Sequence, residues 1–270
     1  MELELKKECL DTYELGEPQT LTQEETAETI VPDYCPDIAR IISAEGVVCL
    51  HGGTEQDGVT GTVRVTVLYT PENESGVRAL EFAMPFSAQG EGLAGCAHVV
   101  VETEIELLES RMLNPRKIFT RCKLVTHLAG CRKVCLTISS DAETDPALLV
   151  EKRCCGQTVS LLRQVAEKDL TFSETMSLSL GREGAAELLH CRANGIVTET
   201  KAIGNKLIFK GVFLVSALYR TIGGQLASAS AELPFSQIME TDSTEENTQV
   251  SMRLRITGTD IQIDGSDDEG

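Results

Sequence analysis

Residues 46–107 and 195–256 repeat one another, and what they repeat is an alternation of apolar and polar side chains that suits β-strands. Gly46-Val47-Val48 returns as Gly195-Ile196-Val197, 149 residues later. Gly61 and Val67-Leu68-Tyr69 return as Gly211 and Ala217-Leu218-Tyr219, at a spacing of 150. Met84-Pro85-Phe86-Ser87 returns as Leu233-Pro234-Phe235-Ser236, again 149 on. Val101, Thr103, Ile105 and Leu107 match Val250, Met252, Leu254 and Ile256 at that same spacing. The copies keep turn glycines and a Pro-Phe bend but share no set of reactive side chains. Packing, rather than chemistry, is what was duplicated. Gly61, Tyr69, Pro85 and Phe86, with Gly211, Tyr219, Pro234 and Phe235, are therefore the expected determinants of the fold.

Period two dominates each copy. Val63, Val65, Val67 and Tyr69 fall on one face of a strand, and Leu207, Phe209, Gly211, Phe213, Val215, Ala217 and Tyr219 on the matching one. Val99 through Leu107 alternate with His98, Val100, Glu102, Glu104 and Glu106, which predicts one acidic, solvent-facing side. Residues 117–128 read as a further strand. Turn signals such as Asn114-Pro115, Gly204-Asn205 and Gly223-Gly224 fall at strand-like intervals. Short strands so punctuated point to a mainly β chain with two tandem antiparallel β-sandwich-like domains.

One short helix is expected in each domain. Pro36–Ser43 carries Ile38, Ile41 and Ile42 as an apolar stripe behind a proline suited to the first helical turn. Glu183–His190 carries Ala186, Leu188 and Leu189. The expected organisation is domain 1 over 1–140, a connection over 141–154, domain 2 over 155–265 and an acidic, disordered tail over 266–270. Leu161–Leu180 would lead into domain 2 as a strand, as Glu2–Leu10 leads into domain 1.

The chain has 42 acidic against 24 basic residues, a net charge of −18. Nucleic acid and anionic membrane surfaces would repel it, and no basic patch interrupts that balance. No apolar run approaches the roughly 20 residues that span a bilayer, so no membrane insertion is expected. The amino terminus lacks a basic end and apolar core, which makes synthesis in the cytoplasm the expectation.

Common catalytic and nucleotide-binding signatures are missing, and no catalytic residue is assigned. His51-Gly52-Gly53 reads as a turn. His127-x3-Cys131-x3-Cys135, with Cys154-Cys155 nearby, has loosely zinc-like spacing. Such spacings arise readily in a chain with ten cysteines, so neither a metal nor any other cofactor is expected. Asp33-Tyr34-Cys35-Pro36-Asp37 is the densest polar cluster. Two acids beside Cys35 would raise rather than lower its thiol pKa, which argues against a nucleophile.

At Ile30-Val31-Pro32-Asp33-Tyr34-Cys35-Pro36-Asp37-Ile38 the chain resembles the SPOCS domain family of SipL-like spore-envelope proteins. The run from Gly61 to Leu68-Tyr69, the Pro85-Phe86 bend and Leu113-Asn114-Pro115-Arg116-Lys117-Ile118 extend the resemblance over most of the first copy. The second keeps Leu218-Tyr219 and Pro234-Phe235 but has Leu180-Gly181-Arg182-Glu183 in place of the Pro-Asp-Tyr element. The resemblance implies a non-enzymatic protein made in the mother cell and deposited on the spore coat or outer spore surface. SipL-like members carry a LysM module that engages the coat's scaffold protein; a two-unit member without one is expected to be a layer or filament subunit.

The expected partners are therefore copies of itself and other spore-coat proteins. Pro32, Asp33, Tyr34, Pro36 and Asp37 are the candidate contact residues. The alternative role is an adaptor that binds a coat scaffold protein through domain 1. Cys9 and the exposed-looking Cys131, Cys135, Cys154 and Cys155 are the candidates for disulfide cross-links between subunits.

Overall fold

The computed structural model describes residues 4–51, 58–143, 151, 153, 156, 158–174, 184–242, 248–259 and 261. These contain ten strands and no helix: β1 Glu4–Leu15, β2 Gln19–Ile30, β3 Ile38–His51, β4 Gly58–Pro71, β5 Arg78–Gln89, β6 His98–Asn114, β7 Lys117–Glu143, β8 Ala185–Ile203, β9 Lys206–Thr221 and β10 Leu226–Glu240. They form three antiparallel sheets. The chain is mainly β, as its alternation predicts. Asp57, Cys154, Cys155 and the acidic tail fall outside the described residues.

β3-β4-β5 form one sheet, with β4 in the middle. Its inner face carries Val63, Val65, Val67 and Tyr69, all fully buried, with Leu80, Met84 and Phe86 from β5. Ile118, Cys122 and Leu124 of β7 close over them, joined by Ile105 and Leu108 of β6. Each buried apolar side chain of this size contributes about 1.5–3 kcal/mol relative to exposure, so this layer holds much of the stability.

β7 is 27 residues long and organises the second sheet. β6 runs along one of its edges, from Asn114↔Lys117 to His98↔Cys131. β2 covers the other edge, from Ile30↔Lys117 to Gln19↔Leu128, and β1 continues along that same edge from Leu15↔Cys131 to Glu4↔Glu143. Gly16 donates its N–H to the Gly130 carbonyl at the break between β1 and β2, 2.8 Å away. Among the described residues, the β6 side of β7 carries no strand beyond Cys131. Residues 132–143 therefore leave the sandwich as a two-stranded ribbon with β1.

β8-β9-β10 form the third sheet, with β9 in the middle. Gly211 stands opposite Phe235 as Gly61 stands opposite Phe86. Leu207, Phe209, Val215, Ala217 and Tyr219 are buried on its inner face. Phe213 sits between Phe172 and Phe235, with ring centres 5.1 and 4.5 Å away. Leu254 lies over Gly195 as Ile105 lies over Gly46. The first strand of the repeat departs from the expected spacing. Leu50 faces Gly61 whereas Val197 faces Gly211, which sets β8 two residues off the spacing of the glycines. A two-residue slip keeps every side chain on its original face.

Both expected helices are strands, for one reason. β3 carries bulges between Ile38 and Arg40 and between Ile41 and Ser43. Each adds a residue, so inward positions fall at Ile38, Ile41 and Ala44 and imitate helical spacing. β8 repeats this with bulges between Ala185 and Glu187 and between Leu188 and His190. A further bulge between Ile105 and Leu107 turns Leu107 outward and packs Leu108 inward, correcting the expectation that Leu107 shares the face of Ile105. Of Leu161–Leu180, expected as a lead-in strand, residues 161–174 are described and form no strand; Tyr13 donates its N–H to the Leu162 carbonyl at 2.8 Å, placing this segment beside β1.

Candidate functional site

Pro32–Asp37 joins the end of β2 to the start of β3 and forms a tip of the first sandwich. The sequence makes it a turn: Pro32 and Pro36 fix two backbone angles, and the Cys35 N–H donates to the Pro32 carbonyl at 2.9 Å. Its ends are tied to the β6–β7 turn by backbone bonds, from the Val31 N–H to the Arg116 carbonyl and from the Ile38 N–H to the Pro115 carbonyl, both 2.9 Å. The Glu72 N–H donates to the Asp37 carbonyl at 2.7 Å.

Arg116 locks the turn from the side. One guanidinium nitrogen donates to the Cys35 carbonyl at 2.8 Å and to Asp37 Oδ1 at 3.0 Å. The other donates to the Val31 carbonyl at 2.9 Å and to Asp33 Oδ1 at 3.1 Å. Asn114 Oδ1 in turn accepts the Arg116 N–H at 2.8 Å. The two acids of the candidate contact element thus serve an internal cation, and they are not two unpaired carboxylates. From the core side, the Tyr69 hydroxyl donates to the Pro36 carbonyl at 3.3 Å. Burial pushes the Tyr69 phenol up to about 12, and the nearby Cys35 thiol adds to the shift.

What this anchoring leaves outside is Tyr34, 88% exposed. Ile30, also largely exposed, is paired with Lys117, and Met112 and Leu113 show apolar surface on the adjoining β6 end. An aromatic ring held out on a fixed backbone loses little conformational freedom on docking, which suits it to anchor a contact. The sequence brings the Pro-Asp-Tyr and Asn-Pro-Arg-Lys elements to notice separately; it does not reveal Arg116 as the link between them. The available signal was one arginine in a rigid turn set against two acids spaced four apart.

The cysteines sort differently from expectation. Cys9 and Cys135 form a disulfide across the β1–β7 ladder, within one chain. Cys131, expected to be exposed, is fully buried, and burial raises its thiol pKa above the ordinary value. The ladder with β6 runs without a shift from Val101↔Leu128 to His98↔Cys131, so Cys131 lies on the face opposite Leu128, where the Cys96-Ala97 end of the β5–β6 connection comes beside it. With Cys135 oxidised and His127 Nδ1 bonded to Thr20 Oγ1 at 3.0 Å, the run from His127 to Cys135 does not offer three free ligands. Among the described residues no three His, Cys, Asp or Glu side chains gather as a metal site, and no helix could cross a membrane.

The β8-β9-β10 sheet and the first sandwich touch through charge. Arg78 reaches Glu187 at 3.5 Å, Arg220 reaches the same Glu187 oxygen at 2.7 Å, and His190 Nε2 lies 3.1 Å from Glu45. Arg253 pairs with Glu102, and Arg64 donates to the Thr259 carbonyl at 3.1 Å.

Residues 185–264, which comprise β8, β9, β10 and the segment that lies over Gly195, match the family model described as SipL, SPOCS domain. No curated protein and no solved structure matches the chain. The match falls on the second copy, although the motifs that carry the resemblance by eye concentrate in the first. This part of the chain is therefore similar to the SipL SPOCS domain.

Proposed function

We propose that this chain is a structural protein of the spore coat or an outer spore layer, built from two tandem SPOCS-like units and assembling with copies of itself through its β-structure. The observation that carries this reading is the β1–β7 ribbon. It runs past the sandwich with Leu136 and Ile138 exposed, and a two-stranded ribbon in water is at best marginally stable unless something covers it. Light scattering and electron microscopy of the purified protein, with and without reductant, test the reading. Concentration-dependent oligomers are expected; a strict monomer at every concentration overturns it. Disulfide cross-linking between subunits falls to cysteines other than the Cys9–Cys135 pair, with Cys154 and Cys155 the first to replace by serine on non-reducing gels.

The second reading, an adaptor for another coat protein, is favoured by Tyr34 alone. Pull-down from sporulating cells separates the two. One different protein, recovered at fixed stoichiometry and lost with Tyr34→Ala, supports the adaptor.

A further inference from the structure

β10 lies at the edge of the third sheet, and only the end of that edge is guarded. The Lys168 ammonium donates to the Ile238 carbonyl at 2.9 Å, and Gln164 Oε1 accepts the Asp242 N–H at 3.0 Å. These bonds also show which way the backbone faces. The β9–β10 ladder has no bulge, so every second residue back from Ile238 turns its main-chain groups away from β9. Pro234 is one of these and has no N–H to offer. Glu232, Ser230, Ser228 and Leu226 are the others; all four are exposed, and among the described residues no strand pairs with them on that side. The edge reads Leu226-Ala227-Ser228-Ala229-Ser230-Ala231-Glu232-Leu233. It carries none of the lysines, prolines or bulges that commonly keep an edge strand from pairing. Its counterpart β5 has β2 packed beside it, and has Arg78 and Glu81 where β10 has Ala227 and Ser230.

We propose that residues 226–232 of β10 pair antiparallel with the same residues of a second copy, across a two-fold axis at Ala229, to give a continuous β8-β9-β10-β10-β9-β8 sheet. The proposal rests on the self-assembly reading above and gives that assembly a specific contact. The axis follows from where the edge ends. The β9–β10 turn precedes Leu226, and Pro234 interrupts the outward row of donors. The longest run with a donor at every outward position is therefore 226–232, and its centre is Ala229. About that centre Ser228 faces Ser230, Ala227 faces Ala231 and Leu226 faces Glu232, with the partner's Pro234 diagonal to Leu226. The edge thus fits a copy of itself: serine hydroxyls meet, the exposed Leu226 gains an apolar neighbour, and the two Glu232 carboxylates stay apart. Alanine and serine lose little side-chain freedom on pairing, so little offsets the main-chain bonds that supply the affinity. A two-fold contact uses one patch on both copies and closes on itself, so it yields a discrete dimer from which a larger layer would need a second contact.

The test is analytical ultracentrifugation of the full chain and of three variants: Ser230→Pro, Ser228→Lys with Ser230→Lys, and Ser228→Lys with Ser230→Glu. Far-UV circular dichroism checks that each retains its β-structure. Proline at 230 removes an outward N–H from each copy and no bond of the β9 ladder, and is expected to raise the dimer dissociation constant by about tenfold or more. The lysine pair sets like charges opposite one another twice per dimer and is expected to weaken it as much, although the chain becomes less acidic overall. The lysine–glutamate pair sets opposite charges together and is expected to hold the dimer at native strength or tighter. If the native chain associates and the proline and lysine-pair variants associate equally well, the edge contact is overturned while self-assembly stands. If the lysine–glutamate variant dimerises no better than the lysine pair, the register about Ala229 is overturned. A native chain that is monomeric throughout removes both ideas.

Discussion

Phe86 lies across β5 from Gly61 on β4, with its ring edge 2.5–2.6 Å from the point where a Cβ on residue 61 would stand. The Cys49 carbonyl lies 2.9 Å from the same point. The ring therefore fills the space that a side chain would need, and Phe235 over Gly211 repeats the arrangement with the Ile196 carbonyl behind it. Gly61→Ala and Gly211→Ala are each expected to cost about 1–3 kcal/mol through overpacking, read from denaturant unfolding. Because the ring is part of the clash, Gly61→Ala should cost less in a Phe86→Ala background than alone. Strictly additive effects would show that ring and glycine are independent.

Arg116 holds the Pro32–Asp37 turn by four bonds, two of them to main-chain carbonyls. The partly exposed ion pairs contribute little by themselves, and the weight lies in the charge-assisted bonds to Val31 and Cys35. Arg116→Ala is expected to cost about 1.5–3 kcal/mol and to speed amide exchange over residues 31–38 while the β4–β5 ladder keeps its protection. Arg116→Lys retains the charge without the planar fork and should rescue less than half of the loss. Full rescue by lysine would mean that charge alone holds the turn.

The sheets were legible in the sequence because alternation survives wherever a strand is regular: every inward residue from Val63 to Tyr69 was placed correctly. It failed where bulges shift the phase. Ile38-x2-Ile41 and Leu188-Leu189 imitate a helix only because extra residues are inserted beside Tyr69 and Tyr219. Cys131 is buried where the Cys96-Ala97 end of the β5–β6 connection comes beside it, a non-local effect that no window around the cysteine contains. The tip was half legible. Pro32–Asp37 was marked out by composition, but its cation stands about eighty residues away at Arg116, and only the fold brings the two together.

Cys9 and Cys135 close a loop of 126 residues and tie β1 to the part of β7 that has left the sandwich. A cross-link across so long a loop stabilises by about 2–4 kcal/mol, chiefly by restricting the unfolded chain. Cys9→Ser, or reductant, is expected to lower the melting temperature. Amide exchange should rise first over residues 4–15 and 132–143, while residues 63–69 remain protected. Equal loss of protection in both regions would show that the ribbon and the core unfold as one unit.

Alkaline sensitivity follows from two buried groups. Burial, with some help from Glu25, raises Cys122 from its ordinary value of 9.0 to about 11, and burial raises Tyr69 from 10.0 to about 12. In each case the folded state holds its proton where the unfolded state has lost it. The resulting stability is complete below about pH 9 and is lost as pH climbs through 11 for the thiol and 12 for the phenol. Unfolding free energy should therefore fall steadily from pH 9 to 12. Tyr69→Phe should flatten the upper part of that slope, and Cys122→Ala the lower part, even though each variant begins from a less stable protein at neutral pH. Chemical denaturation at half-unit steps of pH gives the slopes directly. A Tyr69→Phe slope identical to the native one above pH 10 would mean that the phenol ionises as readily in the folded chain as in the unfolded one.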